Sequence, residues 1–154
     1  MARLICSLIL VLVLATPSWA QQSLVGTYKL VSLQRELDGK PDPLPGNPPR
    51  GHLIITPKAY VMLQTEGTRT YGPSAADKAA LWESMVAHGG NYRVEGNKFV
   101  MTPDTSSNES NIGSQQIRYW EVKGNRLILS SDPRRWARDP SKTVVSRQEY
   151  QKID

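Results

Sequence analysis

From residue 24 onward, apolar side chains recur mostly at every second position, the period of a β-strand with one buried face. Leu24 to Leu37 (LVGTYKLVSLQREL) is rich in β-formers and stops at Asp38-Gly39, a turn dipeptide. His52 to Thr56 and Tyr60 to Gln64 form two further strands around Pro57-Lys58-Ala59. Tyr92 to Glu95 and Lys98 to Met101 flank Gly96-Asn97, and this two-residue turn fixes a register. Glu95 then faces Lys98, Val94 faces Phe99 and Tyr92 faces Met101. Gln116 to Lys123 and Arg126 to Ser131 repeat the device around Gly124-Asn125, with Val122 opposite Leu127, Trp120 opposite Leu129 and Arg118 opposite Ser131. Thr143 to Ile153 is the last strand.

One stretch follows the helical period instead. Residues 73–88 (PSAADKAALWESMVAH) place Ala75, Ala79, Trp82 and Val86 near one stripe. Ser74 with Asp77 three residues on predicts the N-terminal cap, and Gly89-Gly90 the end. Pro41 to Pro49 (PDPLPGNPP), with five prolines in nine residues, predicts an extended loop, and Pro103 to Ser114 a polar, mobile one.

Eight strands with one helix after the third, each the sequence neighbour of the next, predict a mainly β fold. An eight-stranded antiparallel up-and-down β-barrel, with one inserted helix around 74–88, removes the exposed edges. Its interior has room for side chains or one small ligand.

The chain has 154 residues, enough for one ordinary domain. Its 39% apolar and 21% charged residues allow a packed core and exclude wholesale disorder. The first residues are a separate segment. Met1-Ala2-Arg3 is basic, Leu4 to Ala15 is almost unbroken apolar, and Ser18-Trp19-Ala20 is a small-x-small site. This is the pattern of a secretory signal peptide over residues 1–20, its apolar run too short to span a membrane. Cleavage after Ala20 leaves 134 of the 154 residues as the working domain, 21–154. Loss of Arg3 takes the formal charge from +5 to +4, and the single cysteine, Cys6, leaves too. The mature chain then has no disulfide, no thiol nucleophile and no transmembrane segment. An exported protein, periplasmic or extracellular, is expected.

Leu24 to Ser32, then Asp38-Gly39 and Pro49 to Tyr60, form an order of motifs that resembles the lipocalin-like domain family of bacteria and fungi. Leu24-Val25-Gly26-Thr27-Tyr28-Lys29-Leu30-Val31-Ser32 is similar to the family's opening L-x-G-T-W-x-L-V-S. Asp38-Gly39, then Pro49-Arg50-Gly51-His52-Leu53-Ile54-Ile55-Thr56-Pro57-Lys58-Ala59-Tyr60, is similar to its D-G … P-x-G-x-L-I-Y-T-P-D-G-Y. The resemblance extends over residues 23–153 and implies a calycin-type barrel with a small apolar cavity. Three positions depart from the pattern: Tyr28 replaces the opening Trp, Lys58-Ala59 the Asp-Gly turn, and Tyr150-Gln151-Lys152 a closing Trp-x-Arg. Tyr28 as a floor under Lys152 would be a milder form of the aromatic-plus-cation closure of a lipocalin base.

Candidate chemistry is sparse. His52 and His88 lie in different elements without ligand spacing, so neither a metal nor a cofactor is expected. There is no G-x-S-x-G, no catalytic cysteine and no phosphate-binding glycine loop. No catalytic residue is assigned. Arg134-Arg135-Trp136-Ala137-Arg138 is the densest basic patch, either a solvated loop flanked by Asp132 and Asp139 or a weak membrane-surface contact. A charge of +4 is too small to suggest nucleic acid. Alternation puts Arg118 on the same face as Trp120, where it either reaches solvent at the barrel mouth or pairs with a ligand carboxylate or a Glu. Tyr60, Gln64, Tyr92, Arg118 and Trp120 are the candidate ligand-binding residues; the aromatics among them could equally fill the core.

A secreted protein binding a small, mainly hydrophobic or amphipathic molecule in its barrel is the reading these features favour. A barrel cyclase or isomerase, with a tyrosine or carboxylate as acid or base, is an alternative. A ligand-free envelope interaction module is another. An interior carboxylate beside a tyrosine would favour the enzyme, and a cavity without that pair the binder.

Overall fold

The computed structural model describes residues 24–43, 49–136 and 139–154. Residues 1–20, expected to be a signal peptide, most of the proline loop and Arg138 lie outside them. Strands run as β1 (Gly26–Leu37), β2 (Lys40–Pro41), β3 (Arg50–Ile55), β4 (Ala59–Thr65), β5 (Met85–Glu95), β6 (Lys98–Ser106), β7 (Gln116–Lys123), β8 (Arg126–Ser130), β9 (Arg134–Trp136) and β10 (Asp139–Lys152). The sheet order β1-β3-β4-β5-β6-β7-β8-β10 closes when β10 pairs back onto β1, giving an eight-stranded antiparallel barrel. β2 and β9 are short additions that pair with β1 and β10. Among the described residues no helix is long and apolar enough to cross a membrane.

The hairpin registers are those the turns predict. Tyr92 pairs Met101, Val94 pairs Phe99 and Glu95 pairs Lys98. Trp120 pairs Leu129 and Val122 pairs Leu127. Gly96 (φ 58°) and Gly124 (φ 60°) supply the left-handed residue that each two-residue loop needs. The β3–β4 turn lacks such a glycine and is closed by a side chain. Thr56 Oγ1 accepts from the Ala59 N–H at 2.9 Å, while the Thr56 N–H donates to the Ala59 carbonyl at 2.8 Å.

These three tight turns gather at one end of the barrel, and that end is filled. Leu24, Tyr28, Leu30, Leu53, Ile55, Tyr60, Met62, Tyr92, Phe99, Met101, Leu127, Leu129 and Tyr150 form one buried cluster, with Val94 and Trp120 packed against it. The Tyr28 hydroxyl donates to the Leu24 carbonyl at 2.9 Å. Lys152 Nζ lies 6.0 Å from the Tyr28 ring centroid and donates to the Val25 carbonyl at 3.0 Å, closing the base with a cation over an aromatic ring.

Three expectations need correction. The helix α1 spans only Ala75–Glu83. Ser74 and Asp77 cap it reciprocally, as predicted, but Val86 and His88 belong to β5. The Ala75, Ala79, Trp82 stripe is not buried: α1 has no buried residue and Trp82 is 58% exposed. Gly89-Gly90 does not stop the helix. It lies mid-strand at a bulge, where a Cβ on Gly90 would meet the Thr102 carbonyl at 2.3 Å. The glycine pair therefore marks close backbone approach rather than a cap. Lastly, Pro103 to Ser114 is not wholly loop. β6 continues through a fully buried Pro103 to Ser106, and a 3-10 turn follows at Glu109–Asn111.

Candidate ligand site at the barrel mouth

The other end carries the long connections: the segment through α1, the turn after β6, and the β8–β10 link holding β9. Here the interior changes character. Gln64, His88, Arg118, Ser131, Ser146 and Gln148 are the buried polar residues of the described chain. Strand alternation explains their meeting. Gln64 follows Tyr60 and Met62 on the inner face of β4, and Ser146 and Gln148 precede Tyr150 on that of β10.

Tyr60 and Tyr150 form the boundary between the two halves. Tyr60 Oη lies 2.9 Å from His88 Nδ1, a hydrogen bond between buried side chains. Gln148 Nε2 donates to Gln64 Oε1 at 2.9 Å, and the Tyr150 hydroxyl donates to the same oxygen at 3.4 Å. Burial raises the pKa of both phenols, joined at Tyr60 by the charge of Asp104, and Arg118 opposes it at both, so both stay protonated. Burial, and secondarily the charge of Arg118, pushes the His88 imidazole down to about 4, so the ring is neutral at pH 7.

Arg118 stands on β7 opposite Phe99 of the filled half. It is 7% exposed. Its Nη1 donates to the adjacent Ile117 carbonyl at 2.8 Å, and its buried Nε has no hydrogen-bond partner. Among the described residues no carboxylate forms an ion pair with it. Burial, then the nearby charge of Arg134, lowers its pKa to about 10, which still leaves it cationic at neutral pH.

Above these groups a cavity of about 760 Å³ opens to solvent. His88 and Arg118 line it from within the barrel, Met85 and Val86 from the start of β5, and Arg134, Arg135 and Trp136 from β9. Arg134, Arg135 and Trp136 of the basic patch thus form a short strand paired to β10 at the mouth. Arg35 ties that rim together. Its guanidinium donates to Glu66 at 3.0 Å, pairs with Asp42 and sits 5.3 Å from the Trp136 ring centroid.

Of the five residues singled out from sequence, Tyr60, Gln64 and Arg118 meet in or beside this polar half. Tyr92 and Trp120 lie in the filled half. The Tyr92 hydroxyl donates to the Thr56 carbonyl at 2.8 Å, and its ring packs at a tilt against Phe99 with centroids 4.9 Å apart. Trp120 Nε1 donates to the Gly96 carbonyl at 3.2 Å across the hairpin end. Sequence reasoning missed His88, because it was read inside the helix. It also missed Gln148 and Tyr150, although the alternation Val144, Ser146, Gln148, Tyr150 already put both on one face.

Comparison with curated proteins and with solved structures gives no match. The family model described as a lipocalin-like domain matches residues 25–148, most of the closed barrel from β1 to β10. With the barrel itself in view, the chain belongs to the lipocalin-like domain family.

Proposed function

We propose that this protein is an exported carrier that binds one small amphipathic molecule in the mouth of its barrel. The observation that carries the reading is the division of the interior. One half is filled by side chains, while the other opens into a cavity of about 760 Å³, within the size range of small-molecule sites. Trp82, Met85, Val86 and Trp136 supply apolar wall, and Glu66, Arg118 and Arg134 polar wall. Such a mixed lining suits an amphipathic molecule better than a purely hydrophobic one. Export rests on the leader pattern of residues 1–20.

The cyclase or isomerase reading is weaker. The buried polar residues of the described chain include no carboxylate. The Tyr60–His88 pair is poorly set for proton transfer, because burial makes the phenol a weaker acid and the imidazole a weaker base. Native mass spectrometry of protein purified from its host tests the binding reading. A co-purified small molecule released on denaturation is expected. A bare chain mass from the periplasmic or secreted fraction, with no uptake on incubation with host extract, would count against it.

A further inference from the structure

We infer that the ligand carries an anionic oxygen group, a carboxylate or its chemical equivalent, and enters with that group leading, to lie against Arg118. This deepens the binding reading above and rests on it. Three observations meet here. First, Arg118 is buried yet has no carboxylate partner among the described residues, and its Nε is unsatisfied. A buried cation without a counter-charge is unfavourable in the empty protein, so its place in the interior points to a partner that comes from outside. Second, the side chain lines the open cavity rather than sitting sealed in the core. A guanidinium offers a planar fork of donors that matches an oxyanion better than any neutral group. Third, Arg118 is the charged residue of the lining that stands inside the barrel. Arg134 and Arg135 line the same cavity from the rim, as do Glu66, Glu83 and Glu109, and Glu66, just after β4, is engaged by Arg35. The hydroxyls of Tyr60 and Tyr150, protonated at neutral pH, lie near enough to Arg118 to feel its charge.

The orientation follows from the same lining. Arg118 is set opposite Phe99, next to the filled half, whereas Trp82, Met85, Val86 and Trp136 belong to the elements around the mouth. The charged end therefore sits deep and the apolar body lies toward the rim, where α1 and β9 cover it. This is the reverse of a ligand whose head group stays in solvent.

A matched pair of fluorescent probes tests the inference: anilinonaphthalene sulfonate and uncharged phenylnaphthylamine, which differ by the sulfonate alone. The wild-type protein should bind the sulfonate at least about tenfold more tightly, the scale of a charged hydrogen-bonded contact. Arg118→Met should abolish that preference by weakening the sulfonate alone, and should raise Tm, because it replaces an unpaired buried charge with apolar volume. Arg134→Ala, at the exposed rim, should weaken the sulfonate by a smaller factor without threatening the core. Equal affinity of the two probes for the wild type, or a preference that survives Arg118→Met, overturns the anion inference and leaves the binding reading in place. Binding of neither probe overturns both. A fall in Tm in Arg118→Met, together with unchanged sulfonate affinity in Arg134→Ala, would make Arg118 structural and also overturn it.

Discussion

Tyr60 and His88, twenty-eight residues apart on neighbouring strands, share a 2.9 Å hydrogen bond inside the barrel. His88 pairs with Met62 across the β4–β5 ladder, and its ring meets that of Tyr60 edge-on with centroids 5.5 Å apart. Burial, and secondarily the charge of Arg118, keeps this imidazole neutral at the boundary between the filled and open halves.

That neutral histidine makes stability depend on pH. The unfolded chain takes up a proton near pH 6.5, but the folded ring, depressed mainly by burial, resists it until about pH 4. The unfolded state therefore binds more protons across this window. Stability is full above about pH 6.5, falls as the pH drops toward 4, and levels off below that. Between pH 8 and pH 5 the loss attributable to His88 is on the order of 2 kcal/mol. Urea denaturation of the wild type and His88→Gln at both pH values checks this, since glutamine keeps a polar partner for Tyr60 and cannot titrate. If the two proteins lose the same stability on acidification, His88 is not the group responsible.

The bulge at Gly89-Gly90 predicts a severe substitution. A methyl group on Gly90 would lie 2.3 Å from the Thr102 carbonyl and 2.8 Å from the Asp104 nitrogen, both backbone atoms. Neither can swing aside, so the β5–β6 pairing must part locally. Gly90→Ala should cost about 2–3 kcal/mol. Gly96→Ala provides the control. Nothing lies within 4 Å of its added methyl, and only its φ of 58° is unfavourable. That change should cost about 1 kcal/mol. Equal costs at the two positions would contradict the steric account.

The sequence carried most of the barrel because its information is local there. A two-residue turn such as Gly96-Asn97 fixes register, and alternation then assigns each side chain to a face. The helix boundary was not legible for the same reason. Met85 to His88 contains no breaker, and only pairing with Leu63 and Gln64 of β4, distant in sequence, makes it a strand. Gly89-Gly90 has the composition of a helix stop, while its actual role depends on how closely Thr102 approaches. Arg118 was placed correctly inside by alternation, but whether it has a counter-charge is decided by side chains on other strands. The tyrosines divided in a way that periodicity cannot express. Tyr92 and Tyr60 both face inward, yet one reaches the Thr56 carbonyl in the closed end and the other His88 near the open one.

Arg35 illustrates a structural role that charge alone does not describe. Its side chain, 11% exposed, contacts Asp42, Glu66 and the face of Trp136 together, joining β1, the residues just after β2 and β4, and β9 around the mouth. The fork geometry and the planar stacking are both specific to guanidinium. Arg35→Lys should therefore lose about 1 kcal/mol despite keeping the charge, and Arg35→Ala about 2–3 kcal/mol. Thermal unfolding of both variants measures the difference. A lysine variant as stable as the wild type would show that the charge suffices.

The helix and the core should respond in opposite ways to comparable local damage. α1 is held by its own cap, Ser74 accepting from the Asp77 N–H at 3.1 Å, and by the guanidinium of Arg69, which reaches Ser84 Oγ at 3.0 Å. It buries no side chain. Ser74→Ala should thus destabilise the helix by about 1 kcal/mol, yet move the global denaturation midpoint hardly at all, because the barrel closes without it. Phe99, fully buried between Tyr60 and Tyr92, is the opposite case, with ring centroids at 6.0 and 4.9 Å. Phe99→Ala should cost about 3–5 kcal/mol globally. Hydrogen exchange separates the two outcomes. Ser74→Ala should speed exchange in residues 75–84 alone, whereas Phe99→Ala should speed it in every strand that opens through global unfolding. Acceleration across the whole barrel in Ser74→Ala would mean that α1 is part of the cooperative unit.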